Sequence, residues 1–491
     1  MIIRAFINVV LILCSFVFLL FLGGCATERE KTTQVRDFDE IANDGVLTVV
    51  TGYSPVSYFI YRGQPMGYEY ELLKRLGEST GLEIELTIAR DFDEMIRMLN
   101  NKEVDLIAYN LTITQQRRQL VAFTTPLNVT RQVLVQRKPE SWRRMRIHET
   151  ERLLIRNPIE LAGRDVHVRR ASSYLERMLN LQNEIGEDIN IIEAESGVTT
   201  EQLIRMVAER EIDFTVSDEN IARLNQSYFP ILDINTPLSL PQQTAWAVRE
   251  SSVALRDSIN SWLEDFQTQT DYYVIYNKYF ENRRAFTRRI DSDLLFSDGG
   301  KISLFDELIQ TYSEQIGWDW LLLASLIFQE SQFNPDARSW AGAQGLMQLM
   351  PRTANAHGAT DPFDPEQSIR AGVSFIEWLN NYWSNHIEDE NERIKFILGS
   401  YNVGHGHVQD ARRLAREFGA DPDIWDDNVA RFLLKKSQQE YYTHEVVRFG
   451  YARGFEPVNY VNNILYIYNH YQSMAQFRDE SQRDAPALVV D

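Results

Sequence analysis

Apolar residues follow several distinct rhythms along the chain. From Ala5 to Leu22 nearly every residue is apolar, with Arg4 just ahead of the run. From Gly45 to about Phe280, short β-rich runs alternate with amphipathic stretches. Val46-Leu47-Thr48-Val49-Val50 predicts a buried strand and Tyr70 to Gly77 a helix. Leu82 to Ile88, where apolar and polar residues take turns, predicts a further strand. Strands and helices in alternation predict a parallel α/β sheet. From Leu304 through Tyr471 the apolar spacing becomes i, i+3, i+4 with Gly or Pro punctuation, which predicts an all-α region. From Ala475 onward the chain is polar with one Pro and reads as a disordered tail.

The α/β stretch contains an echo. Met95-Ile96-Arg97-Met98-Leu99 leads into Glu103-Val104-Asp105-Leu106-Ile107, and Leu203-Ile204-Arg205-Met206-Val207 leads into Glu211-Ile212-Asp213-Phe214-Thr215. Each is a helix, a short turn and an acidic entry to a strand, so the region is expected to form two similarly built lobes. The expected organisation is a signal segment over 1–24, a lipidated Cys and tether over 25–44, a two-lobed α/β domain over 45–280, a linker over 281–300, an all-α domain over 301–474 and the tail over 475–491. Arg283, Arg284, Arg288 and Arg289 cluster in the linker, read as solvated or as an interdomain latch.

A chain of 491 residues accommodates two or three domains. Its formal net charge of −20 makes it a poor partner for nucleic acid, whose phosphates need a basic face, and for an anionic membrane held by charge alone. The only cysteines are Cys14 and Cys25, and Cys14 lies inside the apolar leader. Leu22-Gly23-Gly24-Cys25 resembles a bacterial lipobox, with Cys25 as the lipidated first residue of the mature chain. An uncleaved signal anchor is the alternative. Ala26 stands where Asp would favour inner-membrane retention, so the resemblance implies a lipid anchor on the periplasmic face of the outer membrane.

Glu330 is the main candidate for chemistry. It closes the apolar run Trp320-Leu321-Leu322-Leu323-Ala324-Ser325-Leu326-Ile327-Phe328. A carboxylate carried into a cleft by an apolar helix is poorly solvated as an anion. Its pKa rises, and it can hold and deliver a proton as glycosidic cleavage requires. Asp336 is the nearest following acid, either a second carboxylate of the site or a capping group in solvent. His405-Gly406-His407 lacks a Cys or acidic partner set and reads as a solvated turn, so no metal site is expected. No phosphate-cradling Gly loop is present, and no cofactor is called for.

Glu330-Ser331-Gln332-Phe333-Asn334-Pro335, then Gln344-Gly345-Leu346-Met347-Gln348-Leu349-Met350-Pro351, then Ser400-Tyr401-Asn402-Val403-Gly404 resemble the three motifs of the lytic transglycosylase family with the goose-type lysozyme fold. The resemblance implies peptidoglycan glycan strands as partner. It also implies non-hydrolytic cleavage between N-acetylmuramic acid and N-acetylglucosamine to 1,6-anhydro ends, with Glu330 as the single acid and base. It places Ser331, Ser339, Met347, Gln348, Tyr401, Asn402 and Tyr460 around the substrate. Tyr401 would orient Glu330, and Tyr460 would form a cleft wall. Met347 reads equally as a gap-filling core residue. Pro457 stands where the family has Thr. A lysozyme-type hydrolase on the same fold, and a murein-binding sensor lipoprotein without catalysis, are the rival readings.

Gly67-Tyr68-Glu69, Leu111-Thr112-Ile113-Thr114-Gln115-Gln116-Arg117, Phe123-Thr124-Thr125-Pro126 and Ala171-Ser172-Ser173-Tyr174 resemble motifs of the family 3 periplasmic solute-binding proteins, with Ala171 in place of Gly. The resemblance implies an amino acid or muropeptide ligand. Arg117 would take its carboxylate and Asp218 its ammonium. Thr112, Ser172 and Ser173 would line the cleft, and Tyr53 and Tyr58 would cover it. Lobe closure would then move the Arg-rich join and change access to Glu330.

Overall fold

The computed structural model describes residues 36–296 and 300–484. The leader and Cys25 lie outside them. Helix α1 (Phe38–Asp44) opens the described chain. It corrects the expectation of a tether running to residue 44, because Ile41 is buried and both ends of the helix are tied down. The Asp37 carboxylate accepts from its own helix at Phe38 N and also from Ala254 N and Leu255 N, at the start of a second helix. Arg36 reaches Asp105, which is fully buried and also takes a 2.8 Å bond from Arg249 Nη2. A buried carboxylate of this kind persists only when paired, so the join is fixed by charge as well as by packing.

The first lobe is a sheet ordered β4-β1-β5-β13-β6, with β7 beside β13. Its strands are β1 (Val46–Gly52), β4 (Glu83–Ala89), β5 (Leu106–Thr112), β6 (Ala122–Phe123), β7 (Asn128–Thr130) and β13 (Gln242–Val248). Strands β4 and β5 flank β1 in parallel, and β13 returns antiparallel to β5. The second lobe is ordered β10-β9-β11-β8-β12, from β8 (Gln132–Arg137), β9 (Asp165–Val168), β10 (Asn190–Glu193), β11 (Phe214–Asp218) and β12 (Leu232–Pro237). The chain therefore crosses between lobes twice, at Arg131 and between Pro237 and Gln242. The echoed segments occupy equivalent places. Helix α3 (Phe92–Asn100) feeds β5 beside β1, and α5 (Thr200–Glu209) feeds β11 beside β9. Helix α2 (Tyr68–Thr80), longer at both ends than the Tyr70–Gly77 expected, precedes α3, and α4 (Ser173–Ile185) precedes α5.

The expected linker is built into the structure. Helix α6 (Arg283–Ile290) buries Arg289, whose guanidinium lies 5.1 Å over the Phe59 ring and 5.6 Å over Tyr279, while Arg283, Arg284 and Arg288 are exposed. A guanidinium sheds water readily enough to sit against aromatic faces, which makes this Arg a packing residue. The short strand β14 (Leu295–Phe296) then pairs with β2 (Phe59–Tyr61), which pairs with β3 (Gln64–Met66).

The named elements beyond residue 300 are all helices. These include α7 (Trp320–Ser331), α8 (Pro365–Ser384), α9 (Glu390–Val403), α10 (His405–Glu417) and α11 (Phe455–Asp484). Helix α11 continues past the expected end at 474 and buries Phe477, so residues 475–484 are part of the domain. Its apolar side chains close an interface that sequence periodicity shows only as helix. One apolar cluster runs from Ile41, Val49 and Tyr58 of the first lobe through Leu323, Trp383 and Tyr471 of the helical domain. The second lobe keeps separate cores on the two faces of its sheet.

Candidate functional site

Helix α7 begins at Asp319, whose carboxylate accepts from Leu321 N at 3.0 Å, and ends at Glu330-Ser331. Leu321 through Ile327 are all buried, so the helix is enclosed on every side, as its unbroken apolar run requires. Gln332 caps it in the left-handed conformation (φ 52°), and Phe333 is left-handed as well (φ 60°). Two successive non-glycine residues in that region cost energy and persist because the loop around them is over-determined. The segment beyond is stitched to itself. Gln348 Nε2 donates to Ala337 O at 3.0 Å and to Gly345 O at 2.8 Å. Gly345 sits at φ 76°, where a Cβ would stand 1.8 Å from Pro362 O, so no other residue fits.

At this junction the Tyr460 hydroxyl, from the first turns of α11, donates to Glu330 Oε1 at 2.5 Å. Burial pushes the Glu330 carboxyl up to about 7, against the opposing pull of the Tyr460 bond. Burial, and after it the nearby Glu330 charge, raise the Tyr401 pKa, and its hydroxyl donates to Met347 O at 2.8 Å. The contact expected of Tyr401 is made by Tyr460, while Tyr401 is tied to the Met347 carbonyl. The reason is geometric. Tyr460 arrives on a helix packed along α7, a neighbour that motif spacing does not reveal.

Met347 is fully buried, with its side chain against the space a Gly372 Cβ would take, so it fills the core. Ser331 Oγ donates back to Ile327 O at 3.2 Å, the usual alternative for a helical hydroxyl. Ser339 Oγ accepts from Ala343 N at 3.0 Å and shapes the turn, while Asn402 is exposed at the end of α9. Asp336 is exposed, and no carboxylate is among the groups that perturb Glu330. His405 starts α10 and meets the Trp378 ring edge-on at 5.0 Å, so it belongs to no solvated turn. Among the described residues no group of three or more His, Cys, Asp or Glu is placed to hold a metal ion.

A second cleft lies between the lobes, lined among others by Asn110, Thr112, Arg117, Ser172, Ser173, Tyr174, Glu201 and Asp218. Arg117 is buried, with Nη1 3.4 Å from Thr112 O, Nη2 3.5 Å from Ala171 O and its guanidinium 4.2 Å over the Phe92 ring. Its Nε makes no hydrogen bond, although Glu176 stands 3.7 Å away. Asp218 Oδ1 and Glu201 Oε1 are likewise buried without a hydrogen-bond partner. Burial pushes the Asp218 carboxyl up to about 7. Ser173 Oγ donates to Thr112 Oγ1 at 3.0 Å, and Ala171 is left-handed at φ 50°, the conformation that suits the expected Gly. Sequence reasoning missed Glu201 and Asn110, which carry no motif of their own.

Tyr53 and Tyr58 cover no ligand. Tyr53 packs on Phe477 with ring centroids 5.4 Å apart, and the Tyr58 hydroxyl meets His470 Nδ1 at 2.7 Å, both partners lying on α11. They belong to the interface between the first lobe and the helical domain. The turn between β2 and β3 completes that interface. Tyr471 donates to Gly63 O at 2.6 Å, and a Cβ at Gly63 would come within 2.9 Å of Phe328 and 2.5 Å of Phe333, the residues flanking Glu330.

Comparison with known proteins agrees with this division. Residues 46–282 match the bacterial extracellular solute-binding proteins, family 3, and residues 307–424 match the transglycosylase SLT domain. The chain therefore joins a solute-binding module to a transglycosylase domain. Similar along nearly its full length are the membrane-bound lytic murein transglycosylase F of Desulfosudis oleivorans, 35 % identical over 91 % of this chain and 94 % of the relative, and that of Stutzerimonas stutzeri, 33 % identical over 94 % and 91 %. This chain belongs to the membrane-bound lytic murein transglycosylase F family. Among solved structures, holo ArgBP from T. maritima superposes with a TM-score of 0.39 at 25 % identity, over 50 % of this chain and 99 % of that one.

The raised Glu330 pKa has a consequence for stability. Because the folded value of about 7 exceeds the ordinary 4.5, the folded chain binds more protons than the unfolded chain between those pH values. Stability from this group therefore falls as pH rises through that window and is level above it. Glu330→Gln removes the ionisation. Urea unfolding across pH 4 to 8 should show the Gln variant gaining on the parent, to a plateau of about 1–3 kcal/mol after discounting for solvent at the cleft mouth. A pH-independent difference would contradict the buried, proton-holding state of Glu330.

Proposed function

We propose that the chain cleaves the β-1,4 bond between N-acetylmuramic acid and N-acetylglucosamine in peptidoglycan without water, and that Glu330 carries both proton transfers. The observation that supports this is a single enclosed carboxyl held near neutrality, with a tyrosine hydroxyl on one oxygen and no second carboxylate acting on it. A group poised near 7 is suited to give and to take a proton at neutral pH. Protonated Glu330 donates to the bridging oxygen as the C1–O bond breaks, and the muramic 2-acetamido oxygen shields the cation at C1. The Glu330 anion then takes the proton of the C6 hydroxyl, whose oxygen bonds to C1 and closes the 1,6-anhydro ring. The Tyr460 hydroxyl stabilises the anionic stage. Arrival of water at C1 instead would make the chain a lysozyme-type hydrolase. Mass spectrometry of products from purified murein should show anhydro ends, and Glu330→Gln should lower cleavage at least a thousandfold while remaining folded. Reducing ends would establish the hydrolase, and a folded Gln variant with near-normal turnover would remove Glu330 from the chemistry.

The interlobe cleft suits a small zwitterion, an amino acid or a stem-peptide fragment of murein. Arg117 offers a buried cation for a carboxylate, and Asp218 an unsatisfied carboxyl oxygen for an ammonium. A ligand ammonium would restore the Asp218 charge and supply the missing hydrogen bond. Calorimetry with amino acids and muropeptides should give binding that Arg117→Ala weakens by at least tenfold. Heats identical in parent and variant would show that the ligand is held elsewhere.

Attachment to the periplasmic face of the outer membrane through lipidated Cys25 rests on the leader sequence. Cys25→Ala should move the protein to the soluble fraction with activity on murein retained. Continued sedimentation with membranes would favour an uncleaved anchor.

A further inference from the structure

One helix of the helical domain carries a row of aromatic residues that reach the surface. Helix α8 buries Ile369, Val373, Ile376, Leu379 and Trp383 on one face. On the other it carries Phe375, Trp378 and Tyr382, at the i, i+3, i+7 spacing that places them in one row. Their rings are stacked in sequence. Phe375 and Trp378 have centroids 6.1 Å apart with planes 15° apart, and Trp378 and Tyr382 repeat this at 6.1 Å and 21°. The near end of the row touches the candidate active site, because Phe375 lies 5.3 Å from the Tyr401 ring, and Tyr401 feels the Glu330 charge. At the far end His405 braces both Trp378 and Tyr382, at 5.0 Å and 4.9 Å. Trp378 remains 44 % exposed, and Phe375 and Tyr382 are only half-buried. A Trp kept in water by two flanking rings and a histidine adds little to the core beneath it.

We propose that Phe375, Trp378 and Tyr382 form an extended glycan-binding strip that leads away from Glu330 and stacks sugars remote from the scissile bond. This rests on the murein-cleaving reading and names how the same site selects its substrate. The chemistry favours a sugar strand as occupant. Each pyranose presents an apolar C–H face that fits the electron-rich face of an aromatic ring. The spacing of the row is near that of successive pyranose rings in a β-1,4 strand. The strip runs continuously from the reacting centre, so sugars seated on it would be covalently joined to those at Glu330. Such contacts are made before and during bond breaking alike. They tighten binding of long strands and set a preference for strand length, with no effect on the bond-breaking step itself.

The test uses the full chain with Glu330→Gln, so that strands bind without being cut, with peptide-free murein glycan strands and a muramic tetrasaccharide as probes. Trp378→Ala should weaken binding of long strands about tenfold and reduce the preference for long over short strands by a similar factor. Trp378→Phe, which keeps a ring in the row, should recover most of the loss. In the chain with Glu330 intact, the Ala change should appear in KM for long strands rather than in kcat. Equal affinity of parent and Trp378→Ala for long strands would overturn the strip. So would an equal loss on both strand lengths, because the change would then act through Tyr401 and the reacting centre. If the chain with Glu330 intact binds strands but does not cut them, the cleavage reading fails, and the strip is judged on the dissociation constants alone.

Discussion

The pairing of α7 with α11 is the constraint on which the rest of the site depends. Helix α7 is too apolar to stand in water on any side, and α11 lies along it antiparallel. At one end of the contact Tyr468 donates to Asp319, the residue that caps the start of α7, at 2.9 Å. At the other end Tyr460 donates to Glu330. Both ends of α7 are therefore held by one partner. The same α11 reaches the first lobe through Tyr466, His470, Tyr471 and Phe477, so a single helix is packed against both the candidate acid and the solute-binding module. His470 sits in this contact as a neutral ring, its pKa pushed down to about 3 by burial.

The electrostatics of Glu330 follow from that packing. Removing water from a carboxylate raises its pKa, and one hydroxyl restores only part of the lost solvation. A second carboxylate nearby would raise it further and provide a base or nucleophile of its own, but Asp336 points into solvent. The arrangement leaves Glu330 with no carboxylate among the groups that shift it. The interlobe cleft shows the same physics in another form. Arg117 Nε and Asp218 Oδ1 are buried with no hydrogen-bond partner, and each carries the desolvation cost of its burial.

Much of this was legible in the residues. The alternation of strand and helix from Val46 onward, the echo between residues 95–107 and 203–215, and the helical spacing after Leu304 each correspond to an observed element. Local patterns suffice there because the period of apolar positions is itself the condition for burying one face. Glu330 was legible for a related reason: a carboxylate at the end of an unbroken apolar run has little choice but a desolvated place. Tyr53 and Tyr58 were misread because an aromatic beside a binding motif looks the same whether it faces a ligand or a neighbouring domain. The tail was misread because residues 475–484 are polar enough to suit water, and only the docking of Phe477 on Tyr53 shows where the helix is held.

The sequence by itself determined the two-module division and the two-lobed and helical folds, and it singled out Glu330 as a carboxyl poorly placed for water. These depend on periodicity and on short motifs whose parts are close in the chain. Only the tertiary structure decided which tyrosine touches that carboxyl, that Met347 belongs to the core, that residues 283–296 and 475–484 form structural elements, and that Phe375, Trp378 and Tyr382 form a row ending near Tyr401. Each of these joins residues far apart in sequence, as Glu330 and Tyr460 are, and is set by how helices and lobes pack. Packing is a property of whole surfaces meeting, and no short stretch of sequence carries it.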